Sequence, residues 1–148
     1  MRLLHKLVEF NVPVDDLILI YILYIRSVLE QSCQVWHSSI TFQNMTDIER
    51  VQKNALRIIL KEQYISYERA LEISNLKSLV ERRESICLKF ARSCLKNETV
   101  KDMFPLNPVD YHVDTRDREV FQVTMAHTKR LKQSAVPYMQ RRLNAEKA

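Results

Sequence analysis

The chain has 148 residues and not one glycine. Glycine is the residue that reaches positive φ without steric cost, so tight β-hairpin turns are disfavoured throughout. Its absence excludes a Walker A loop, a GxGxxG dinucleotide fingerprint and a GxSxG nucleophile elbow, each of which needs glycine where backbone and ligand or helix and strand approach closely. Cysteine is sparse as well: Cys33, Cys87 and Cys94 form an odd set, without the paired spacing of a disulfide framework. Cys87 and Cys94 fall on an apolar face, where a thiol behaves as a small hydrophobe, so the expectation is a reduced, intracellular protein. Long apolar runs are missing too. The longest, "LILIYILYI" from Leu17 to Ile25, falls far short of the roughly 20 residues needed to cross a bilayer. The opening "MRLLHKLVEF" lacks the unbroken apolar core of a signal peptide. These features predict a nuclear or cytoplasmic protein, not a secreted or membrane one.

What is present is enough apolar content for a core, 46%, and an uneven charge. Residues 1–114 hold equal numbers of Lys/Arg and Asp/Glu, while the last 34 hold eight basic and three acidic residues, which is the whole excess of +5. A neutral body with a basic tail points to a polyanionic partner, with a merely solvated tail as the alternative.

The periodicity predicts an all-α fold, a small bundle of about five helices with an irregular basic tail that ends in a short helix. A short helix over 1–10 stops before Pro13, which disfavours helix at Val12. A long helix follows from Val14 to His37, with Asp15 and Asp16 in its first turn, where the helix dipole favours acids. Through Ile25 it is apolar all round, which implies burial from several sides. Beyond Arg26 it is amphipathic, with Arg26, Glu30 and Gln34 wet and Val28, Leu29, Cys33 and Trp36 inside. Further helices are expected over 42–61, 67–74 and 79–96. Their caps are Thr41 (or the inner box Thr46-x-x-Glu49), Ser66, and Ser78 with its box partner Glu81. Asn11, Asn75 and Asn97 stand where helices should stop, in the left-handed position that glycine usually takes. Residues 98–133 read as a proline-containing linker and an extended segment. Residues 134–148 close with a short helix capped by Ser134, with Pro137 tolerated in its first turn. The organisation expected is thus a body over 1–97, a linker over 98–133 and a terminal helix and tail over 134–148.

Two of these helices carry rows of cations. In "IERVQKNALRIIL", Arg50, Lys53 and Arg57, with Lys61 just beyond, fall within an arc of roughly 100° on a helix, while Ile48, Val51, Ala55, Ile58 and Ile59 face the other way. The 79–96 helix repeats the pattern with Arg82, Lys89, Arg92 and Lys96, opposite an apolar face that includes Ile86 and Phe90. Arg83 breaks the pattern by falling in that apolar arc, where it would snorkel or pair with an acid. The tail adds Lys129, Arg130, Lys132, Arg141 and Arg142.

Catalytic constellations are lacking. Asp15-Asp16 is the one adjacent carboxylate pair, and a helix follows it at once, unlike the strand–turn setting in which paired aspartates hold two metal ions. Cys33 and His37 are four apart, but a structural zinc needs four ligands and no second pair has matching spacing. No cofactor, metal or independent catalytic site is expected.

The succession "YIRSVLEQSCQVWH", "IERVQKNALRIIL", "YISYERALEISNLKSLVERRESICLKFARSCLKN" and "SAVPYMQRRLN" resembles the C-terminal part of the endonuclease–reverse transcriptase polyproteins of jockey-like non-LTR retrotransposons, from about Leu3 to Asn144. The resemblance implies thumb-like and post-thumb helices of an RNA-directed DNA polymerase whose palm, fingers and endonuclease lie upstream. The family often has an aromatic at the position of Gln31, a proline at that of Gln34 and a glycine soon after "RIIL", where this chain has Lys61-Glu62. What it implies for function is a non-catalytic fragment that holds an RNA–DNA hybrid, or other nucleic acid, through its basic helix faces, weakly and without sequence preference. The palm of a parent polymerase, or a second copy through an orphaned apolar face, would be further partners. The rivals are a helical protein-interaction module and a translated retroelement relic.

Overall fold

The computed structural model describes residues 1–107 and 120–146. Among them every regular element is helical, apart from one isolated antiparallel bridge between Leu106 and Phe121. The all-α class holds. In chain order the helices are α1 (Arg2–Glu9), α2 (Val14–Ile20), a π-helical segment (Tyr21–Arg26), α3 (Ser27–Glu30), α4 (Cys33–Trp36), α5 (Phe42–Leu60), α6 (Tyr67–Ser74), α7 (Leu79–Leu95), α8 (Lys129–Lys132) and α9 (Ala135–Ala145). Short 3₁₀ turns occupy Lys61–Gln63 and Lys101–Met103.

Contacts divide the chain into two units. The first comprises Met1–Gln31 and Thr41–Arg82; the second comprises Ser32–Ile40 and Arg83–Ala148. The division does not fall at residue 97, where a body was expected to give way to a linker. Instead α7 gives its first turn to one unit and the remainder to the other.

In the first unit, Leu4, Leu17, Tyr21, Ala55 and Ile59 form one core cluster and Leu56, Leu60 and Ala70 another. The caps read from sequence are in place. Thr41 accepts from the Asn44 N–H at 3.2 Å, Ser66 from Arg69 at 3.2 Å and Ser78 from Glu81 at 3.3 Å, each satisfying an orphan donor of a helix start. Asn11 and Asn75 take positive φ, as expected. Lys61 does so as well, at φ 47° and ψ −115°, in a region that suits glycine and strains a side chain.

The helix expected from Val14 to His37 is not continuous. Its middle widens into the π segment, and it breaks at Gln31–Ser32, where Ser32 is left-handed at φ 52°. A π turn inserts about one residue of phase, roughly 100°, into the face pattern that follows it. The wet and dry sides beyond Tyr21 are therefore not those of an ideal helix. Arg26 and Glu30, expected in water, have side chains only 12% and 10% exposed, while Val28, expected inside, is 67% exposed. The all-round burial expected for Leu17 to Ile25 also fails in part, since Leu19, Leu23 and Tyr24 face outward.

In the second unit the core is Cys87, Ala91, Cys94, Phe104, Phe121, Met139 and Leu143. Where a linker was expected, Phe104 and Phe121 are core residues. Buried Gln140 ties the surrounding chain together: its Oε1 accepts from the Thr124 N–H at 2.9 Å, and its Nε2 donates to the Met103 carbonyl at 2.8 Å. Asn144 pairs with both backbone groups of Phe121, accepting its N–H at 2.8 Å and donating to its carbonyl at 2.9 Å. The segment expected to be extended up to Ser134 contains α8, capped by Thr128. Ser134 precedes α9, but its hydroxyl donates to the Leu131 carbonyl at 2.7 Å and does not cap the helix. Asn97 is not left-handed; its side chain accepts from the Thr99 N–H at 2.9 Å. The part of the expected loop over 108–119 lies outside the described residues.

Candidate nucleic-acid interface

The first cationic row lies on the outer face of α5, in the first unit. The opposite face anchors the helix by burying Ala55, Leu56, Ile59 and Leu60 together with one polar residue, Gln52. Gln52 is fully satisfied. Tyr21 donates to its Oε1 at 2.6 Å, and its Nε2 donates to the Tyr67 hydroxyl at 2.9 Å and to the Lys77 carbonyl at 3.0 Å. Tyr67 in turn donates to Glu49 Oε1, which also accepts the Leu79 N–H at 3.1 Å. Burial raises the pKa values of Tyr21 and Tyr67 well above the ordinary phenol range, with the Glu49 bond adding to the shift at Tyr67. Both hydroxyls stay protonated and donate at any physiological pH.

On the wet side Arg50, Lys53 and Arg57 of α5 are exposed, as the spacing predicts; Lys61 is exposed as well, just past the end of the helix in non-helical backbone. Their neighbours differ. Arg50 meets Asp47 one turn back at 3.0 Å, an exposed pair of the kind worth little. Lys53 lies 4.9 Å over the Tyr67 ring and Arg57 lies 5.2 Å over the Tyr64 ring. A carboxylate would cancel these charges. An aromatic face holds a cation in place by about 0.5–1 kcal/mol at an exposed site and leaves its charge available.

The row on α7 is less open. Arg82, in the first unit, donates through Nε to Glu30 at 2.5 Å. In the second unit, Lys89, Arg92 and Lys96 are exposed, but Arg92 forms a fork on both oxygens of Glu146 at 2.7 Å. Phe90, expected inside, is 45% exposed. Arg83 does not snorkel; it is wholly buried, with its guanidinium 5.6 Å over the Trp36 ring.

The tail cluster separates into two kinds. Lys129, Arg130 and Lys132 are exposed on α8. Arg141 is committed to the Lys132 carbonyl at 2.5 Å, and Arg142 to Glu84 at 3.1 Å. These two serve the packing of the second unit, which a count of tail charges could not distinguish from free cations.

Asp15 and Asp16 lie in the first turn of α2, as the dipole argument expects. Among the described residues no cluster of three or more His, Cys, Asp or Glu side chains is arranged to hold a metal ion. The three cysteines are buried thiols. Burial, with Cys33 alongside, pushes the Cys87 thiol up to about 12. His37, four residues after Cys33, packs edge-on against the Tyr138 ring at 5.7 Å. No described helix is long and apolar enough to cross a membrane. The chain matches no protein-family model, no curated protein and no solved structure.

Proposed function

We propose that the chain is a non-catalytic nucleic-acid-binding protein, related to the helical region that follows the palm of retrotransposon reverse transcriptases, and that α5 is its contact surface. One observation carries this reading: Lys53 and Arg57 are held on tyrosine rings, between exposed Arg50 and Lys61, and neither forms an ion pair with a carboxylate among the described residues. From Arg50 to Lys61 the row spans about 16 Å at 1.5 Å per residue. That length meets two or three phosphates of a strand and reads no base. An intracellular location and an RNA–DNA hybrid as ligand belong to the same reading. Lys89 and Lys96 on α7, and Lys129, Arg130 and Lys132, are secondary candidates, because no acidic side chain among the described residues pairs with them.

The test is titration of a labelled RNA–DNA hybrid against the full chain at rising salt. Two or three phosphate contacts give a log–log salt slope of about −2 to −3. Replacing Lys53, Arg57 and Lys61 together with glutamine should bring that slope close to zero. Absence of binding at low salt defeats the reading.

A second reading has its own observation. Leu19, Leu23, Tyr24 and Val28 are exposed along one stretch of helix, 51% to 67%. Apolar side chains displayed in this way suit a protein-interaction module, including self-association. Sedimentation separates the two readings: a strict monomer that binds the hybrid favours the first.

A further inference from the structure

A pocket of about 420 Å³ opens in the second unit, between α4, α7, the 3₁₀ turn Lys101–Met103 and α9. Among its lining residues Cys94, Phe104 and Met139 are buried while Val35, Phe90 and Met103 are exposed, so it has a closed floor and an open mouth. No charged side chain among the described residues lines it. Of its polar groups, Ser93 already donates to the Phe90 carbonyl at 2.7 Å and Asn97 accepts the Thr99 N–H at 2.9 Å. An uncharged lining with little hydrogen bonding to offer selects an apolar occupant. A cavity of about 150 Å³ takes one benzene-sized group, so this one has room for roughly two or three apolar side chains.

The first unit displays a matching row. Leu19, Leu23, Tyr24 and Val28 are exposed, each four or five residues from the next turn's member. The Tyr21–Arg26 segment is π-helical and bonds i to i+5, so spacings of four and five stay in line there. Such a row suits the insertion of one helix face into an apolar groove. Charges of opposite sign flank the two parts. Asp15 and Asp16 are exposed at the start of the same helical stretch and pair with no basic side chain among the described residues. Lys89 and Lys96, exposed beside the lining residues Phe90 and Asn97, pair with no acidic one. Asp102, beside Met103, offsets one of these cations and leaves the mouth basic.

We propose that this pocket takes the 19–28 row of a second copy of the chain, so that copies associate head to tail. Leu23 and Tyr24 enter the pocket, and Asp15 and Asp16 face Lys89 and Lys96, which fixes the direction of entry more than it adds affinity. The occupant is another copy because one chain carries both halves, an apolar row with an acidic end and an uncharged socket with a basic flank. The inference rests on the second reading above, in which that row is an interaction surface, and it names the partner. Row and socket are different surfaces, so the contact is heterologous, and copies add until a ring closes or an open chain forms. The cations of α5 take no part in it.

Sedimentation equilibrium of the full chain at rising concentration reads the assembly, and the mean mass of the unaltered chain should climb above that of the monomer. Leu23→Glu spoils the row and keeps the socket. Val35→Glu charges the mouth of the socket and keeps the row. Both positions are exposed, so each variant should retain the helical circular dichroism of the parent. Each variant alone should stay monomeric, and their equimolar mixture should form dimers that grow no further, because each pair of chains can rebuild a single junction. Two glutamates repel, so recovery in the mixture does not come from a new ion pair. A mixture that stays monomeric, or Val35→Glu that assembles like the parent, overturns the socket; loss of assembly in Leu23→Glu then spares the row as an interaction surface. Assembly that survives Leu23→Glu overturns row and socket together. A parent chain that is monomeric at every concentration overturns self-association in any form.

Discussion

Tyr21 donates to Gln52 across 2.6 Å, joining positions 31 apart in the chain, and both side chains are fully buried. Gln52 also reaches Tyr67 and the Lys77 carbonyl, so one amide ties the π segment, α5, α6 and the approach to α7 together. Gln140 plays the corresponding part in the second unit, joining α9 to Met103 and Thr124. Replacing Gln52 with leucine should cost about 2–4 kcal/mol, because the buried Tyr21 hydroxyl, the half-buried Tyr67 hydroxyl and the Lys77 carbonyl lose their bonds at once. Tyr21→Phe, which removes one bond, should cost about 1 kcal/mol. Urea unfolding followed by circular dichroism measures both, and equal losses for the two variants would contradict the network.

Lys61 offers a change in the opposite direction. At φ 47° and ψ −115° it occupies a backbone region natural to glycine. Lys61→Gly should stabilise the first unit by about 1 kcal/mol in thermal unfolding, with the relief of strain outweighing the entropy that glycine adds to the unfolded chain. Asn75→Gly serves as the control. Asn75 sits in the ordinary left-handed well at φ 51° and ψ 40°, where asparagine is tolerated, so its replacement should change little.

His37 makes the second unit sensitive to acid. Burial is the main cause of its lowered proton affinity; Arg83 adds to this, Glu84 opposes it and Arg142 adds again. The folded state thus prefers the neutral ring. Its contribution to stability is complete above the unfolded value of about 6.5 and is lost as pH falls through the lower folded value. Urea midpoints should decline from pH 7.5 to pH 5.5, and His37→Phe, which keeps a ring against Tyr138, should flatten that decline. An unchanged slope in the variant assigns the acid sensitivity to other groups.

The cysteines should be silent in the native protein. Cys87 is 1% exposed, its thiol is pushed up to about 12, and it donates to the Cys33 carbonyl at 3.8 Å. A thiolate-specific reagent should label none of the three within minutes at pH 7 and all three in denaturant. Prompt native labelling of Cys87 would place it at the surface.

How much of this was legible in the sequence depended on whether the signal was local. Thr41, Ser66, Ser78 and Asn75 terminate helices by contacts within four residues, and each was readable. The cationic face of α5 was readable for the same reason, because that helix is regular. Arg26 and Glu30 were misplaced because a π turn has no sequence signature and shifts every face that follows it. Arg141 and Arg142 looked like free tail charges because Lys132 and Glu84 are brought to them only by the fold. Glu49 and Gln52 fit the polar spacing of a wet face, and only the arrival of Tyr21, Tyr67 and the start of α7 makes them interior.

The second unit borrows nine residues, Ser32–Ile40, from the middle of the first unit's sequence and sets Tyr138 of the last helix against one of them, His37. No single cut in the chain can therefore liberate either half intact. A ribosome must also deliver more than ninety residues beyond His37 before Tyr138 emerges to shelter it. Until then His37 waits without its aromatic cover, and a premature stop anywhere before α9 should yield a sticky product that chaperones hold or proteases remove.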